Sequence, residues 1–164
     1  MGLDVRQAVR EDMPAVLDIY NDAVLNTMAT ADIEPQTLET RLAWFEERTA
    51  AGFPVLVAEF EGVIAGWSSF GRFHNRPGYR FTVENSVYVA AGNRRKGVGT
   101  ALLRPLIPIA ANMNMHSIVA LVDASNSASI SLHKRCGFSE AGRLQQAVYK
   151  FNRWNDVLLL QCML

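Results

Sequence analysis

The sequence predicts an α/β (α+β) chain, a mixed central β-sheet with helices on both faces, as a single domain spanning 1–164. Three observations carry this. The 164 residues are 49% hydrophobic and 20% charged, enough to bury one core and short for two. The hydrophobic period changes along the chain, from helical to alternating, then strand–helix–strand–helix, then a strand pair. No repeat, low-complexity tract or linker divides it.

The elements follow in order. In "EDMPAVLDIYNDAVLN", Val16, Ile19, Tyr20 and Val24 recur at helical spacing; Asp12 is a candidate N-cap and Pro14 sits in the first turn, where its missing N–H is harmless. "TLETRLAWFEER" is a second helix carrying Leu38, Leu42 and Phe45 and ending near Gly52. "PVLVAEF" and "VIAGWSSF", joined by Glu61-Gly62, read as a hairpin. "YRFTVENSVYV" reads as a long strand whose polar Glu84-Asn85 pair interrupts the pattern as a bulge would. "NRRKGVGTALLRPLI" opens a helix; Pro105 and Pro108 each remove an N–H inside it, so a kink is expected beyond its first turn. "SIVALVD" is a buried strand and "NSASISLHKRC" a helix closed by Gly137. The tail, "RLQQAVYKF", "NRWND" and "VLLLQCML", gives two strands and a connection.

Composition excludes several functions. Sixteen Lys+Arg against 16 Asp+Glu give a net charge of +0, so no nucleic-acid partner is expected. No apolar run approaches a membrane span, and the N-terminus lacks a signal peptide's apolar stretch, so no membrane role is expected. Gly2 does not begin a myristoylation signal, because the sixth residue is Arg6 rather than Ser or Thr. Cys136 and Cys162 have no metal-ligand spacing; they are read as reduced thiols of a cytoplasmic protein, with no metal.

The chemistry begins at "NRRKGVGT". A helix N-terminus offers unpaired N–H groups and a positive dipole end, which bind anions. Gly97 and Gly99 permit close backbone approach, and Arg94, Arg95 and Lys96 add charge suited to a diphosphate. Taken alone, this stretch is equally a basic turn whose glycines serve chain geometry. It is not a P-loop, because its lysine precedes the glycines, nor a dinucleotide fingerprint, because position 102 is Leu.

The pattern R-x-x-G-x-G, Arg94 to Gly99, directly after "SVYV" resembles the acetyl-CoA motif of the GCN5-related N-acetyltransferase (GNAT) superfamily. The blocks "DMPAVLDIYNDAV", "RLAWFEER", "GFPVLVAE", "TVENSVYV", "GNRRKGVGTALL", "NSASISLHKRCGF" and "KFNRWNDVLLLQ" are similar, in order, to its phosphinothricin and methionine sulfoximine acetyltransferase branch, over nearly the whole chain. The resemblance implies a GNAT fold, acetyl-CoA as donor, and acetylation of the α-amine of a small amino-acid-like substrate. It also implies a detoxifying role and a homodimer. By position, Val87, Tyr88 and Val89 match the strand that pairs with the pantetheine arm, an instance of strand addition. Arg94, Arg95, Lys96, Gly97, Val98, Gly99 and Thr100 match the pyrophosphate cradle, and Asn126 and Ser129 match residues beside the cofactor. Asn126 is equally a helix N-cap.

Direct transfer to an amine requires a base for the ammonium proton, a donor to the thioester oxygen, and a proton for the leaving thiolate. Glu84 matches the family's base; otherwise it is a solvent-facing carboxylate or a partner for Arg80. His133 stands where many members have a tyrosine general acid, and is otherwise structural. Tyr88 is a second candidate donor, or packing. In "GRFHNRPGYRFTVE", Arg76 and Arg80 match substrate-binding arginines suited to a carboxylate, with Arg72, Phe73 and His74 around them. Two departures bear on the substrate. Ala31 and Asp32 replace a common bulky aromatic, so that either the pocket is wider or Met28 or Phe73 fills it, and His74 replaces a common lysine or arginine. The alternatives are acetylation of another amine (polyamine, aminoglycoside or protein N-terminus) and an acyl-CoA-sensing domain without turnover.

Overall fold

The computed structural model describes residues 2–164. Its elements are β1 (Leu3–Gln7), α1 (Met13–Asn26), α2 (Leu38–Ala50), β2 (Val55–Phe60), β3 (Val63–Arg72), β4 (Thr82–Val89), α3 (Val98–Leu103), α4 (Leu106–Asn112), β5 (Ser117–Asp123), α5 (Ser127–Arg135), β6 (Ser139–Lys150) and β7 (Arg153–Met163). The strands form one sheet in the order β1-β2-β3-β4-β5-β7-β6, in which only β4 and β5 run parallel. This is the mixed sheet expected, and the parallel pair is the one joined by a helical crossover. No helix among the described residues is long and apolar enough to cross a membrane.

Each face carries its own core. On one, Val16, Ile19, Tyr20 and Val24 of α1 pack on Val57 of β2 and Trp67 of β3, with Leu42 and Phe45 of α2 beside them. On the other, Leu102, Leu103 and Leu106 of α3 and α4 bury against Leu56, Phe70, Val83, Ile118 and Leu160 of the sheet. The helical spacing that identified α1 is therefore the stripe it buries; in α2 Leu42 and Phe45 pack inward, whereas Leu38 is exposed. Cys162 lies in the second core and Cys136 packs on its margin, as free thiols.

The structure corrects four readings. β1 is an additional edge strand in "LDVRQ", paired only with β2; five residues with one neighbour leave little periodic signal. The Glu84-Asn85 pair makes no bulge: the β3–β4 register runs unbroken from Gly66↔Val89 to Arg72↔Val83, and β4 instead parts from β5 after Glu84. The final connection is shorter than expected. Phe151 and Asn152, both at positive φ, form the turn, and "NRWND" from Arg153 already belongs to β7. Finally, Asp12 does not cap α1. Its carboxylate turns back to accept from the Val9 N–H at 2.8 Å and from both Arg6 Nη atoms at 2.7 and 2.9 Å. The expected proline break is present, since the helix after the basic loop stops at Leu103 and restarts at Leu106.

The Asp12 arrangement has a measurable consequence. The Arg6 guanidinium and the Val9 N–H hold the buried Asp12 carboxyl below its ordinary range. A depressed folded-state pKa stabilises above the unfolded value near ~4, and that contribution fades as pH falls through the folded value. Asp12→Ala is expected to lower unfolding free energy by about 1–3 kcal/mol at pH 7, discounted for the partly exposed Arg6. In urea melts the gap to the parent should narrow towards pH 3.

Candidate active site

The site begins where β4 and β5 separate. They pair only at Thr82↔Ser117, Val83↔Ile118 and Glu84↔Val119. Beyond that point β4 keeps β3 on one side and has an open edge on the other. Two bonds fix which backbone groups face that edge: the Ala90 N–H donates to the Ala65 C=O at 2.9 Å, and the Phe73 N–H donates to the Thr82 C=O at 3.2 Å. Even-numbered residues of β4 therefore bond to β3. The Asn85 N–H closes the last bridge to Val119, and beyond it the N–H and C=O of Val87 and Val89 point into the gap.

The gap opens into a cleft of about 1090 Å³. Glu84, Val87, Tyr88, Val89 and His133 line it, with Arg94, Arg95, Gly97, Val98, Gly99 and Thr100 of the basic loop and Asn126 and Ser129 of α5. Lys96 belongs to the same loop without lining the cleft. Gly97 adopts φ +83°, the left-handed conformation that starts α3, whereas Gly99 serves close packing: a Cβ there would lie 3.0 Å from Leu132 Cδ2 of α5. Arg94 lies 3.7 Å from Asp22 of α1, tying the loop across the cleft mouth. Asn126 Oδ1 accepts from the Ser129 N–H at 3.0 Å, so its side chain is the N-cap of α5.

On the α5 side, His133 is buried and takes one tautomer. Its Nδ1–H donates to the Ser129 C=O at 2.8 Å, and its Nε2 accepts from Asn85 Nδ2–H at 3.1 Å. Burial pushes the imidazole's pKa down, consistent with a neutral ring. On the α1 side, Tyr88 stacks on Trp67 with ring centroids 4.8 Å apart, and burial pushes its hydroxyl well above the ordinary tyrosine value. Glu84, half-buried, is raised by desolvation and drawn back by the charge of Arg48 on α2.

The loop between α1 and α2 forms the opposite wall, through Met28, Thr30, Ala31 and Asp32. It is pinned from two sides. Tyr20 Oη bonds Thr30 Oγ1 at 3.1 Å and donates to Asp32, and the buried Lys150 Nζ donates to the Thr30 C=O at 3.0 Å. Met28, not Phe73, thus stands at this wall.

The substrate-loop residues are not gathered in. Phe73, His74, Arg76 and Arg80 lie outside the cleft lining. Phe73 and His74 pack on Tyr79, with centroids 5.7 and 5.1 Å apart, and Arg80 donates to the Pro77 C=O at 3.2 Å while lying over Phe81. The charge that reaches Glu84 is that of Arg48, not of Arg80. Arg48 and Asn85 escaped the sequence reading. Asn85 carried a signal, because it breaks the apolar face of Val83, Val87 and Val89, and a polar residue on a core face needs a partner. Arg48 carried none.

Residues 5–159 match the model of the acetyltransferase (GNAT) domain. The chain is 43% identical to the L-methionine sulfoximine/L-methionine sulfone acetyltransferase of Pseudomonas paraeruginosa, over 98% of this chain and 94% of that one. Among solved structures it is similar to a ribosomal-protein-alanine N-acetyltransferase from Brucella melitensis (46% identity, TM-score 0.96, 98% of this chain and 99% of that one). It is also similar to a GNAT superfamily phosphinothricin acetyltransferase from Sinorhizobium meliloti in complex with acetyl-CoA (33% identity, TM-score 0.97, 100% and 89%).

Proposed function

The chain belongs to the GNAT acetyltransferase family, and from that premise we propose that it acetylates the α-amine of a small amino-acid-like compound of the methionine sulfoximine, methionine sulfone or phosphinothricin type. The enzyme is an acetyl-CoA-dependent N-acetyltransferase. The observation that carries the substrate-side reading is Glu84, a half-buried carboxylate on the cleft wall where β4 leaves β5.

Acetyl-CoA supplies the activated acetyl group. The unpaired N–H and C=O groups of Val87 and Val89 fit its amide-bearing arm, as a strand edge fits an added strand. Arg94, Arg95 and Lys96, with the loop backbone up to Thr100, fit its diphosphate. Ser129 lines the same cleft, and Asn126 acts through the cap of α5. Glu84 takes the ammonium proton of the substrate. Tyr88 rather than His133 gives a proton to the departing thiolate. The tyrosine retains its proton at neutral pH, whereas the imidazole has committed its only N–H to Ser129. We assign the substrate carboxylate to Arg76 and Arg80, beside Phe73 and His74. Because this loop lies outside its own cleft, the grip requires the loop to close inward or to reach the cleft of a second copy, which a homodimer provides. A single domain over 1–164, a cytoplasmic setting and a detoxifying role complete the reading. The free thiols support the cytoplasm, and the methionine sulfoximine relative supports detoxification.

A second reading, acetylation of a protein N-terminus, has the 46% identity to the Brucella protein in its favour. Release of CoA thiol from acetyl-CoA separates the two. The panel comprises methionine sulfoximine, methionine sulfone, phosphinothricin, ordinary amino acids, spermidine, an aminoglycoside and a peptide with N-terminal alanine. The amino-acid analogues are expected to lead by at least about tenfold in kcat/KM. Turnover confined to the peptide establishes the second reading; acetyl-CoA binding with silence on every amine points to a sensing domain.

A further inference from the structure

We propose that Arg48 is a positioning residue for this reaction, a fixed cation behind the cleft, seated in the gap that Gly71 leaves on β3, that keeps the Glu84 carboxylate ionised. The inference rests on the reading of Glu84 as the base.

The geometry comes from three elements. Glu84 stands directly opposite Gly71 in the β3–β4 register, as a hydrogen-bonded pair. Such pairs hold their Cα atoms about 5.5 Å apart with side chains on one face. Gly71 has no side chain, and the place one would take is filled from α2. A Cβ built on Gly71 would lie 1.9 Å from Arg48 Nη1 and 2.6 Å from its Cζ. The guanidinium therefore occupies the cross-strand position beside Glu84 that a residue of β3 would otherwise hold. Trp44 steadies it, with its ring 5.3 Å from Arg48 Cζ. Arg48 does not line the cleft, so it acts on the reaction through Glu84 rather than by touching substrate.

The surroundings of Glu84 leave this cation without a competitor of like sign. β3 presents Gly71 and β5 presents Val119, neither of which titrates. α2 presents Arg48, with the exposed Glu47 next to it, and the loop between α1 and α2 brings Asp32 to the same cleft. Burial alone favours the protonated carboxyl, which cannot accept a proton; the charge of Arg48 opposes that.

The test is the pH profile of kcat/KM for the parent and for Arg48→Met, Arg48→Lys, Gly71→Ala and Glu84→Gln. The Gly71 variant keeps every charge and meets only the flexible end of Arg48, so it displaces the cation without removing it. Arg48→Met and Gly71→Ala are both expected to move the acid limb up by about one pH unit. Below the limb that is a rate about tenfold lower, with the alkaline plateau retained; Arg48→Lys should stay nearer the parent. An unmoved limb in Arg48→Met, alongside a Glu84→Gln enzyme that is inactive, overturns the role of Arg48 and leaves the base intact. A higher KM for the amine at an unmoved limb also overturns it, in favour of a substrate grip. Parental rates in Glu84→Gln overturn both readings together.

Discussion

Replacing Glu84 by Gln is expected to lower kcat by about 10²–10⁴-fold at pH 7, with acetyl-CoA saturation unchanged. Glutamine keeps the size of the side chain and most of its polarity, so the cleft wall stays filled. What it loses is the ability to take a proton from an ammonium group that is nearly fully protonated at neutral pH. Loss of the base also leaves a signature that a structural role would not produce. As pH approaches the pKa of the substrate amine, solvent supplies the free amine and the deficit should shrink. Steady-state kcat for methionine sulfoximine between pH 6.5 and 9.5 measures this. A deficit that is constant across that range would mean that the variant has disturbed binding geometry rather than proton transfer. A deficit below about threefold would remove Glu84 from the chemistry.

The sequence made the helices and most of the sheet legible for a physical reason: each of these elements buries one face, and burial imposes a period. α1 shows it most clearly, with Val16, Ile19, Tyr20 and Val24 all in the core. β1 pairs with one neighbour over five residues, and its burial does not alternate, since Val5 and Arg6 are both half-buried. Glu84-Asn85 was misread because alternation treats a polar pair as one defect. The two residues face opposite cores, Glu84 toward Arg48 and Asn85 toward His133, and each polar group has its own reason. The open edge of β4 is equally invisible locally, since it arises from the divergence of β5, some 35 positions later in the register (Glu84↔Val119).

The candidate site divides along the same line. The loop Arg94–Thr100 could be read because chain-local features carry it, namely charge, glycine and the start of a helix. The groups that tune Glu84 could not, because they come from α2 and β3 and meet only in the fold. The arginine loop shows the converse limit. Resemblance and charge chemistry pointed to Arg76 and Arg80, yet in one chain neither lines the cleft. Residue type indicates what a side chain can grip, and only the fold determines which cleft it faces.

Val87→Pro is expected to raise the KM for acetyl-CoA by about 10–100-fold while the protein remains folded. The effect works through the backbone rather than the side chain. Val87 is odd-numbered on β4, so its N–H faces the open edge and takes no part in the ladder with β3. Proline there removes a donor meant for the cofactor arm and places a ring where that arm would lie, which an open strand edge tolerates in the free protein. Ser86→Pro, one residue earlier, is the contrasting variant. Ser86 pairs with Ser69 on the bonded side, so proline at that position removes a ladder bond in the middle of the sheet and should cost about 3 kcal/mol or more of stability. Thermal melts and acetyl-CoA titrations on the two variants give opposite outcomes: one folded and weak for acetyl-CoA, the other unstable. A folded Val87→Pro enzyme with parental acetyl-CoA saturation would show that the edge N–H is not used. Instability in Val87→Pro with a sound Ser86→Pro would reverse the assignment of faces. The apolar character of Val87 and Val89 is set by the core they pack against. Their main-chain groups remain free for a ligand because β5 turns away, and the site uses the backbone that the fold leaves unpaired.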